Sequence, residues 1–450
     1  MNITVIGIGY VGLVSGSCFS YMGNNVTCLD IDKSKINNLQ QRRIPIYEPG
    51  LKKIINYSMK NSCLNFSSNI KESIQKSDVV FLTVGTPMKK DGSSDLSYIK
   101  KVGKDIGKYI NSYKIIITKS TIPVGTTCKI KKIIQDEIDK RKENIKFDIA
   151  NNPEFLKQGK AVDDFMSPDR IVVGIENEEN REFFKKLYKP FSVNHKKLIF
   201  MDINSSELTK YAANAMLATK VSFINEMSNI AESVGADINQ VRLGIGSDSR
   251  IGYKFIYPSV GYGGGCFPKD INAISHFSRQ HEYEPKIIDA VNKVNEDQKK
   301  YFFYKLFNRF KTSDNNLAGF KIGIWGLSFK PGTDDMRESP SIYFIKNIIK
   351  YKGSVSVYDP KAMENAKNNY FNKLSAVEYC NNKMDVLVKS DALVLLTEWP
   401  EFRSPDFKKI KFSLNKPIIF DGRNQFDKYE MKKIGFEYHQ IGVPLLKENQ

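Results

Sequence analysis

Short apolar runs alternate with stretches of helical periodicity through the first third of the chain. Runs at residues 3–6, 26–29, 78–84 and 114–118 have the length and composition of buried strands. Residues 130–138 carry mixed charges at helical spacing, as expected for a solvated helix face. Strands that alternate with helices form parallel sheets. The pattern therefore predicts an α/β domain with a doubly wound sheet.

The same alternation returns in the last third of the chain. Apolar runs at residues 321–325 and 355–358 flank a predicted helix at 339–350. The run at residues 389–397 repeats residues 76–83, because in both Lys-Ser-Asp precedes an apolar strand and a threonine. We therefore predict a second doubly wound half that is related to the first.

A long helix is predicted between the two halves. It begins at the capping residues Ser205 and Ser206, continues to Val234 and ends at Gly235. A helix of about 30 residues is long for a globular domain and is more typical of a spine with a dimer surface. The predicted domains are an N-terminal Rossmann domain at 1–203, a central helical spine and all-α dimerisation region at 204–300, and a C-terminal Rossmann-like domain at 301–450.

The composition indicates a globular protein with a large excess of basic residues. Of 450 residues, 41% are hydrophobic, and 68 Lys plus Arg against 50 Asp plus Glu leave a net charge of +18. Such a charge favours nucleic acid, an anionic membrane or small anionic ligands. The basic residues form no aromatic-interleaved motif and no run reaches the length of a membrane span. We therefore expect neither nucleic acid nor membrane insertion as partners.

Cysteine and histidine spacing argues against a disulfide framework and a metal site. The six cysteines form no C-x-x-C pair, and the four histidines form no H-x-x-x-H pair. The apolar N-terminus has no Lys or Arg before Lys33, unlike a signal peptide. These features predict a cytoplasmic protein with no bound metal.

A G-x-G-x-x-G motif occupies residues 7–12, between a predicted strand and a predicted helix. There Gly7 permits a tight turn, Gly9 lets the backbone approach a pyrophosphate, and Gly12 lets the helix pack closely on the strand. Asp30 ends the next strand and is placed to accept ribose hydroxyls and repel a 2′-phosphate, so NAD is favoured over NADP, a preference that nearby lysines temper. The second half has no such motif, so a mononucleotide is the more reasonable ligand there. The expected cofactor contacts are Gly7, Gly9, Tyr10, Val11, Gly12, Asp30 and Lys35.

A glycine-rich segment at residues 261–270 contains a candidate reactive cysteine. Pro268 suits the first turn of a helix that continues to Phe277. Cys266 is then at the helix N-terminus beside Lys269, where the dipole and the charge favour a thiolate. A cysteine in a glycine turn can equally be a packing residue.

An NAD site combined with a nucleophilic thiol favours two successive oxidations. Oxidation of an alcohol to an aldehyde needs no covalent catalyst. A thiolate that adds to the aldehyde forms a thiohemiacetal, whose oxidation gives a thioester that water hydrolyses. The predicted product is a carboxylate, with two NAD consumed per substrate.

Seven motifs follow one another along the chain, at residues 7–12, 120–125, 152–156, 210 with 214, 263–270, 329–339 and 421–423. In this order the chain resembles the nucleotide-sugar dehydrogenases, the UDP-glucose/GDP-mannose dehydrogenase family, over nearly its whole length. The Cys-Phe-Pro-Lys-Asp form is most similar to members that oxidise UDP-glucose to UDP-glucuronate. The resemblance implies two Rossmann-like domains joined by a long helix, and a homodimer.

The resemblance also implies a nucleophile, an oxyanion site and a held water. The residues are Cys266 as nucleophile, Lys210 and Asn214 at the oxyanion, Asp270 and Thr121 at the water, and Glu154 in hydrolysis. Without the family pattern, Thr121 would be interpreted as a turn hydroxyl and Asp270 as a helix N-terminal acid.

Further ligand contacts are implied in the same way. Additional cofactor contacts are Thr86, Ser120, Thr121, Glu154, Lys269 and Arg337. Substrate contacts are Glu154, Phe155, Leu156, Lys210, Asn214, Arg250, Lys254, Phe255, Tyr257, Gly263, Phe329, Lys330 and Arg423. Arg250 is similar to a residue that reaches the neighbouring subunit's site, and Lys254 can also be a solvated surface charge.

Two positions depart from the family pattern, and alternative functions stay open. Gln158 stands where a second glutamate is common, so a carboxylate role does not transfer, and Lys35 stands where arginine is frequent. The nearest alternatives are oxidation of GDP-mannose or a UDP-N-acetyl sugar by the same chemistry. Lys210 and Asn214, four apart, also resemble the two-electron hydroxyacid dehydrogenases.

Overall fold

The computed structural model describes residues 1–192 and 197–445, so His195 is outside the described residues. The chain divides into two compact units by its internal contacts. The first unit contains residues 1–213 and 272–281, and the second contains residues 214–271 and 282–450. No helix within the described ranges is both long and apolar enough to cross a membrane.

The first unit is built on an eight-stranded sheet with the order β3-β2-β1-β4-β5-β6-β7-β8. Neighbouring strands are parallel except β6 and β7, which are antiparallel. The strands are β1 Asn2–Ile6, β2 Asn25–Leu29, β3 Leu64–Ser67, β4 Val79–Leu82, β5 Lys114–Thr118, β6 Phe147–Asn151, β7 Ile171–Ile175 and β8 Leu198–Met201.

Helices cover both faces of this sheet. They are α1 Tyr10–Tyr21, α2 Lys33–Gln40, α3 Leu51–Lys60, α4 Ile70–Lys76, α5 Ser97–Tyr109, α6 Thr126–Lys140, α7 Ala161–Met166 and α8 Asn180–Tyr188. Alternate residues of the central strands enter different cores: Phe81 and Ile117 join one apolar cluster, and Val80 and Ile116 join the other. Both faces of β4 and β5 are therefore buried, which explains their continuous apolar runs.

The second unit contains a six-stranded parallel sheet with the order β11-β10-β9-β12-β13-β14. Its strands are β9 Lys321–Trp325, β10 Ser354–Tyr358, β11 Val377–Tyr379, β12 Ala392–Leu395, β13 Ile418–Asp421 and β14 Glu437–Gln440. The remaining helices along the chain are α9 Ile203–Ser233, α10 Ile238–Gly246, α11 Phe267–Gln280, α12 Lys286–Phe310, α13 Pro340–Lys350, α14 Met363–Asn365, α15 Phe407–Ser413 and α16 Lys428–Ile434.

The predicted relation between the halves is confirmed in the topology and in side-chain contacts. β4 pairs with β1, as β12 pairs with β9. Asp78 Oδ2 accepts from the Asn2 amide at 3.0 Å, and Asp391 Oδ2 accepts from the Lys321 amide at 2.9 Å. The repeated Lys-Ser-Asp signal thus ties the fourth strand of each half to the first.

The long helix is confirmed near its predicted start, but its capping residue differs from the prediction. α9 begins at Ile203, just before Ser205 and Ser206. Asp202 Oδ1 accepts from the Ser205 amide at 2.8 Å, so an aspartate caps the helix. The Ser206 hydroxyl instead donates to Asn151 Oδ1 at 2.7 Å, at the end of β6. The serines were plausible caps by residue type, but both already lie inside the helix.

Candidate active site

The glycine motif forms a close turn with room for a ligand beside it. A Cβ on Gly12 would lie 2.0 Å from Gly7 O and 2.5 Å from Thr83 Oγ1, so only glycine lets α1 approach the strand ends. A Cβ on Gly9 would meet no atom within 4 Å. The backbone at Gly9 is thus accessible to a pyrophosphate, and the N-terminus of α1 begins at the next residue. These residues fit NAD.

Asp30 is held at the end of β2 by three donors. Its Oδ2 accepts from the Ile8 amide at 2.9 Å and from Lys35 Nζ at 3.0 Å, and its Oδ1 accepts from the Asp32 amide at 3.1 Å. The carboxylate keeps acceptor capacity for ribose hydroxyls. Because Lys35 offsets its charge, the repulsion expected for a 2′-phosphate is weakened.

The equivalent carboxylate of the second half is used by the protein itself. Asp359 is buried at the end of β10, and its Oδ2 accepts from the Leu327 amide at 2.8 Å and the Trp399 indole at 3.0 Å. Its Oδ1 accepts from the amides of Lys361 and Ala362, both at 2.8 Å. Asp359 therefore stabilises its own loop, whereas Asp30 presents a partly exposed carboxylate edge.

The turns after β4 and β5 are joined by hydroxyl groups. Thr86 Oγ1 donates to the Thr121 carbonyl at 2.8 Å, and Ser120 Oγ donates to the Val84 carbonyl at 2.6 Å. The structure thus brings Thr86, Ser120 and Thr121 together at the carboxyl ends of neighbouring strands, where ligands bind in such sheets.

A buried charge cluster lies at the same edge of the first unit. Lys210 Nζ is 3.1 Å from Glu154 Oε1, and both side chains are at most 6% exposed. The Leu156 amide donates to Glu154 Oε2 at 2.7 Å. Burial opposes ionisation of Glu154, but Lys210, the Leu156 amide and Lys119 outweigh it, so the pKa of Glu154 is lowered. Glu154 is therefore a carboxylate at neutral pH.

Phe155 connects this cluster to a second cation. Its half-buried ring lies 3.8 Å from the Arg170 guanidinium carbon and 5.3 Å from Lys210 Nζ, measured to the ring centroid. Cation–π attraction therefore holds the ring between the two charges. Leu156 packs partly buried against the larger apolar core of the first unit.

In the second unit, Cys266 has an exposed side chain directly before α11. The glycines before it pass close to the segment at 329–338. A Cβ on Gly264 would lie 2.8 Å from the Phe329 ring, and one on Gly265 would lie 2.3 Å from the Arg337 guanidinium carbon. The Gly264 amide donates to the Arg337 carbonyl at 2.7 Å. Two motifs that are far apart in sequence thus form one surface around the thiol.

Charged side chains lie on both segments of this surface. Lys269 Nζ lies 2.6 Å from Asp270 Oδ1. Arg337 interacts electrostatically with Cys266, and hydrogen bonds to Asp335, followed by the charges of Asp335 and Cys266, raise the pKa of Arg337. A guanidinium and a helix N-terminus both stabilise negative charge nearby.

Asn214 and Asp270 form a buried pair beside the cysteine helix. Asn214 Nδ2 donates to Asp270 Oδ2 at 2.6 Å, and both residues are buried. Asp270 thus accepts from Asn214 on one oxygen and faces Lys269 on the other. Lys210 and Asn214 are one turn apart on α9.

The expected nucleotide-sugar contacts of the last domain surround one loop. Arg423 Nε donates to the Leu396 carbonyl at 2.8 Å, and its Nη2 donates to the Phe329 carbonyl at 3.2 Å. Lys330 Nζ lies 5.6 Å from the centroid of the Phe329 ring. Asp421 accepts from the Arg423 amide at 2.9 Å and orients this arginine.

The segment before the glycine loop is more exposed. Phe255 has a left-handed backbone, φ 65°, and its ring centroid lies 6.3 Å from that of Phe267. The side chain of Lys254 is exposed, as is that of Tyr257, whose ring has the Arg242 guanidinium 4.4 Å from its centroid. The Arg250 side chain is 86% exposed and pairs with Asp248.

Comparison with known proteins identifies the family. Residues 1–192 match the NAD binding domain of the UDP-glucose/GDP-mannose dehydrogenase family, residues 204–297 its central domain, and residues 323–428 its UDP binding domain. The chain belongs to the UDP-glucose/GDP-mannose dehydrogenase family. The predicted resemblance and the predicted fold are thus confirmed.

Relatives in this family match the chain almost end to end. The chain is 41% identical over 446 residues to the UDP-glucose 6-dehydrogenase of Pseudomonas aeruginosa, covering 99% of this chain and 98% of that protein. It is 42% identical over 446 residues to UDP-glucose 6-dehydrogenase TuaD of Bacillus subtilis, covering 99% and 94%. A UDP-glucose dehydrogenase structure from Pyrobaculum islandicum superposes with a TM-score of 0.88 at 32% identity, covering 98% and 97%.

Two residues of the first unit, Lys119 and Arg170, were not predicted as part of the site. Lys119 is fully buried between β5 and the Thr121 turn, and its Nζ donates to Asn152 Oδ1 at 2.9 Å. Arg170 contacts Phe155 by a cation–π interaction, with its guanidinium carbon 3.8 Å from the centroid of the ring. A lysine directly after the strand at 114–118, whose middle is apolar, was a usable signal for the first, but Arg170 is distant in sequence from Phe155. Among the described residues no group of His, Cys, Asp and Glu side chains could hold a metal.

Proposed function

We propose that the protein oxidises UDP-glucose to UDP-glucuronate, with NAD as the oxidant in two steps. The observation that carries the proposal is the exposed Cys266 thiol at the N-terminus of α11, bound by its glycines to the 329–338 segment of the UDP binding domain. An alcohol dehydrogenase that stops at the aldehyde needs no such thiol. The curated relatives named above, which share about two fifths of the sequence, support this substrate.

In the first oxidation, the hydroxyl group on C6 of the sugar loses a proton and the carbon C6 loses a hydride. NAD, when bound, accepts the hydride. Lys210 stabilises the alkoxide oxygen, and its pairing with Glu154 keeps the ammonium oriented in its buried setting. The family resemblance assigns to Asp270 and Thr121 the water through which the proton leaves. It assigns Asn214 to the oxyanion together with Lys210.

In the second oxidation, Cys266 forms the covalent intermediate. Its thiolate adds to the aldehyde carbon, and the carbonyl oxygen takes up a proton to give a thiohemiacetal. Loss of a hydride from that carbon, which a second NAD would accept, and of the proton from the hydroxyl group gives a thioester. Water then adds to the thioester carbonyl and the C–S bond breaks, which releases the carboxylate, the thiolate and protons. Glu154, ionised at neutral pH, assists the water as a base. The usual second glutamate is replaced by Gln158, so this role falls on Glu154 and Asp270.

The same proposal assigns the remaining ligand contacts. The family resemblance assigns NAD contacts to the 7–12 motif, Asp30, Lys35, Thr86, Ser120, Lys269 and Arg337. It assigns UDP-sugar contacts to Phe155, Leu156, the 254–257 segment, Gly263, Phe329, Lys330 and Arg423. The functional division into 1–203, 204–300 and 301–450 is part of the proposal.

We further propose a homodimer that works in the cytoplasm. Met216, Phe223 and Ile230 repeat every seven residues on α9 and are 63%, 49% and 48% exposed, an apolar stripe that a second copy would cover. Arg250, exposed on the same unit, is the residue expected near the subunit boundary. All six cysteines are free, which suits a reducing compartment.

Counting NADH formed per UDP-glucose consumed tests the proposal. We expect a ratio of two, with UDP-glucuronate as the product by mass spectrometry. A ratio of one with an aldehyde product would contradict the thioester route and favour a two-electron dehydrogenase. GDP-mannose and UDP-N-acetylglucosamine are assayed in parallel. Turnover of either one without turnover of UDP-glucose would contradict UDP-glucose as the substrate.

A further inference from the structure

A buried carboxylate connects the glycine motif to the segment proposed to hold the sugar. Glu48, between α2 and α3, is 6% exposed. Its Oε2 accepts from the Tyr10 hydroxyl and from the Gly159 amide at 2.7 Å, and its Oε1 accepts from the Ala161 amide at 2.8 Å. The Gly159 amide also lies 3.3 Å from the Tyr10 hydroxyl. We call these four residues the Glu48 junction.

Each side of the junction leads directly to a proposed ligand. Tyr10 is the first residue of α1 and follows Gly9, where the backbone is open to a pyrophosphate. On the other side, Gly159 and Ala161 belong to the segment 154–161, which starts with the proposed sugar contacts Glu154 and Phe155. From the sequence, Tyr10 was expected only as part of the glycine motif, and no pattern singled out Glu48.

The hydrogen bonds of the junction are strong and difficult to replace. Burial, followed by the neighbouring Glu48, raises the pKa of Tyr10, so the phenol keeps its proton and donates. A buried carboxylate that loses one donor cannot replace it with water. Moving Tyr10 away from the 154–161 segment would therefore cost free energy. Ordering of the glycine turn therefore favours the arrangement of the 154–161 segment held by Glu48.

We propose that the Glu48 junction couples NAD binding to UDP-sugar binding, with Tyr10 and Glu48 acting as positioning residues. This inference rests on the proposed function, because it takes the 154–161 segment as part of the sugar site. Coupling between two sites is reciprocal, so each ligand raises the affinity for the other by the same factor. We expect a factor of about ten, within the range common for coupled sites.

The coupling is measured with ligands that cannot react. UDP-glucose is titrated by calorimetry into the full-length protein alone and with saturating NADH, which leaves no oxidant for the sugar. In the wild type we expect NADH to tighten UDP-glucose binding about tenfold. In Tyr10→Phe, which keeps the ring and leaves both backbone hydrogen bonds of Glu48, we expect a factor below about two. Glu48→Gln provides a second variant with the same expectation.

A control variant removes another hydrogen bond between a tyrosine and a carboxylate, at an exposed position of the same unit. The Tyr113 hydroxyl donates to Asp148 Oδ2 at 2.6 Å, at the opposite ends of β5 and β6 from the ligand edge. Tyr113→Phe should keep the wild-type coupling factor. The inference is overturned if NADH leaves the wild-type affinity unchanged, or if Tyr10→Phe weakens both ligands but keeps the same factor, as a merely structural role would.

Two further measurements separate the possible failures. Hydrogen exchange on the wild type should show that NADH alone protects the peptide containing Gly159 and Ala161, and no protection contradicts the coupling even if no variant folds. Phe155→Ala should weaken UDP-glucose binding without NADH. If it does not, the sugar site is wrongly assigned. If it does and the coupling is absent, only the inference about Glu48 fails.

Discussion

Replacing Lys119 by methionine tests how the first unit tolerates a buried lysine. The Lys119 side chain lies wholly inside the unit, and its Nζ donates to Asn152 Oδ1 at 2.9 Å. That oxygen also accepts from the Tyr188 hydroxyl, so it keeps a donor in the variant. Methionine has a similar length and no charge, and it fits irregular apolar space. Lys119→Met therefore removes the charge and leaves the Asn152 side-chain oxygen with a donor, while the Asn152 carbonyl loses only a contact at 3.5 Å.

The magnitude follows from the proton affinity of the buried amine. Burial lowers the pKa of Lys119 to about 8 from the ordinary 10.5, with Glu154 opposing the change and Lys210 adding to it. Between these two values the unfolded chain binds more protons than the folded chain, so the free energy of unfolding rises with pH. Below pH 8 the buried ammonium costs ~3 kcal/mol, and from pH 7 to pH 10 the wild type should gain ~2.5 kcal/mol relative to Lys119→Met.

Urea unfolding of both proteins between pH 7 and pH 10 measures this difference. Far-UV circular dichroism follows the whole chain, whereas tryptophan fluorescence reports only the second unit, since Trp325 and Trp399 are the two tryptophans and both lie there. The pH-dependent difference should therefore appear in circular dichroism. If the wild type and the variant differ by the same free energy within ~1 kcal/mol at both pH values, the buried lysine does not titrate as described.

Three further changes test the remaining assignments. Cys266→Ser should abolish UDP-glucuronate formation while NADH still binds with unchanged affinity, because a hydroxyl is a far poorer nucleophile at neutral pH; undiminished product would refute the covalent route. Phe223→Asp places a charge in the exposed stripe of α9 and should halve the mass that light scattering measures for the proposed homodimer, and an unchanged mass would contradict the proposal that this stripe forms a dimer interface. Burial lowers the pKa of Lys114, but its ammonium donates to the Ser77 carbonyl at 2.5 Å, the Ser112 hydroxyl and the Gln75 carbonyl, and Lys114→Met takes this donor from all three. We expect the variant to lower the free energy of unfolding by ~1–3 kcal/mol, and equal urea midpoints would contradict this.

The elements and their order followed from local patterns. The strand at 114–118 has the predicted bounds, and the predicted strand at 78–84 is real but shorter, at Val79–Leu82. The helix predicted at 130–138 is longer in the structure, at Thr126–Lys140, and residues 126–129 form its first turn. Periodicity marks the buried middle of an element, whereas its ends depend on caps such as Asp202 that residue type alone does not single out.

By itself the sequence determined the two related sheets, the glycine motif and the candidate cysteine at a helix N-terminus, since each is a run of neighbouring residues whose spacing carries its geometry. Only the tertiary structure decided which distant residues share a charge or a hydrogen bond. Lys119 beside Glu154, Arg337 beside Cys266 and Glu48 between Tyr10 and Gly159 all join segments that are far apart along the chain. Burial gives these contacts their strength, because a charge removed from water depends on the few groups that the fold places around it.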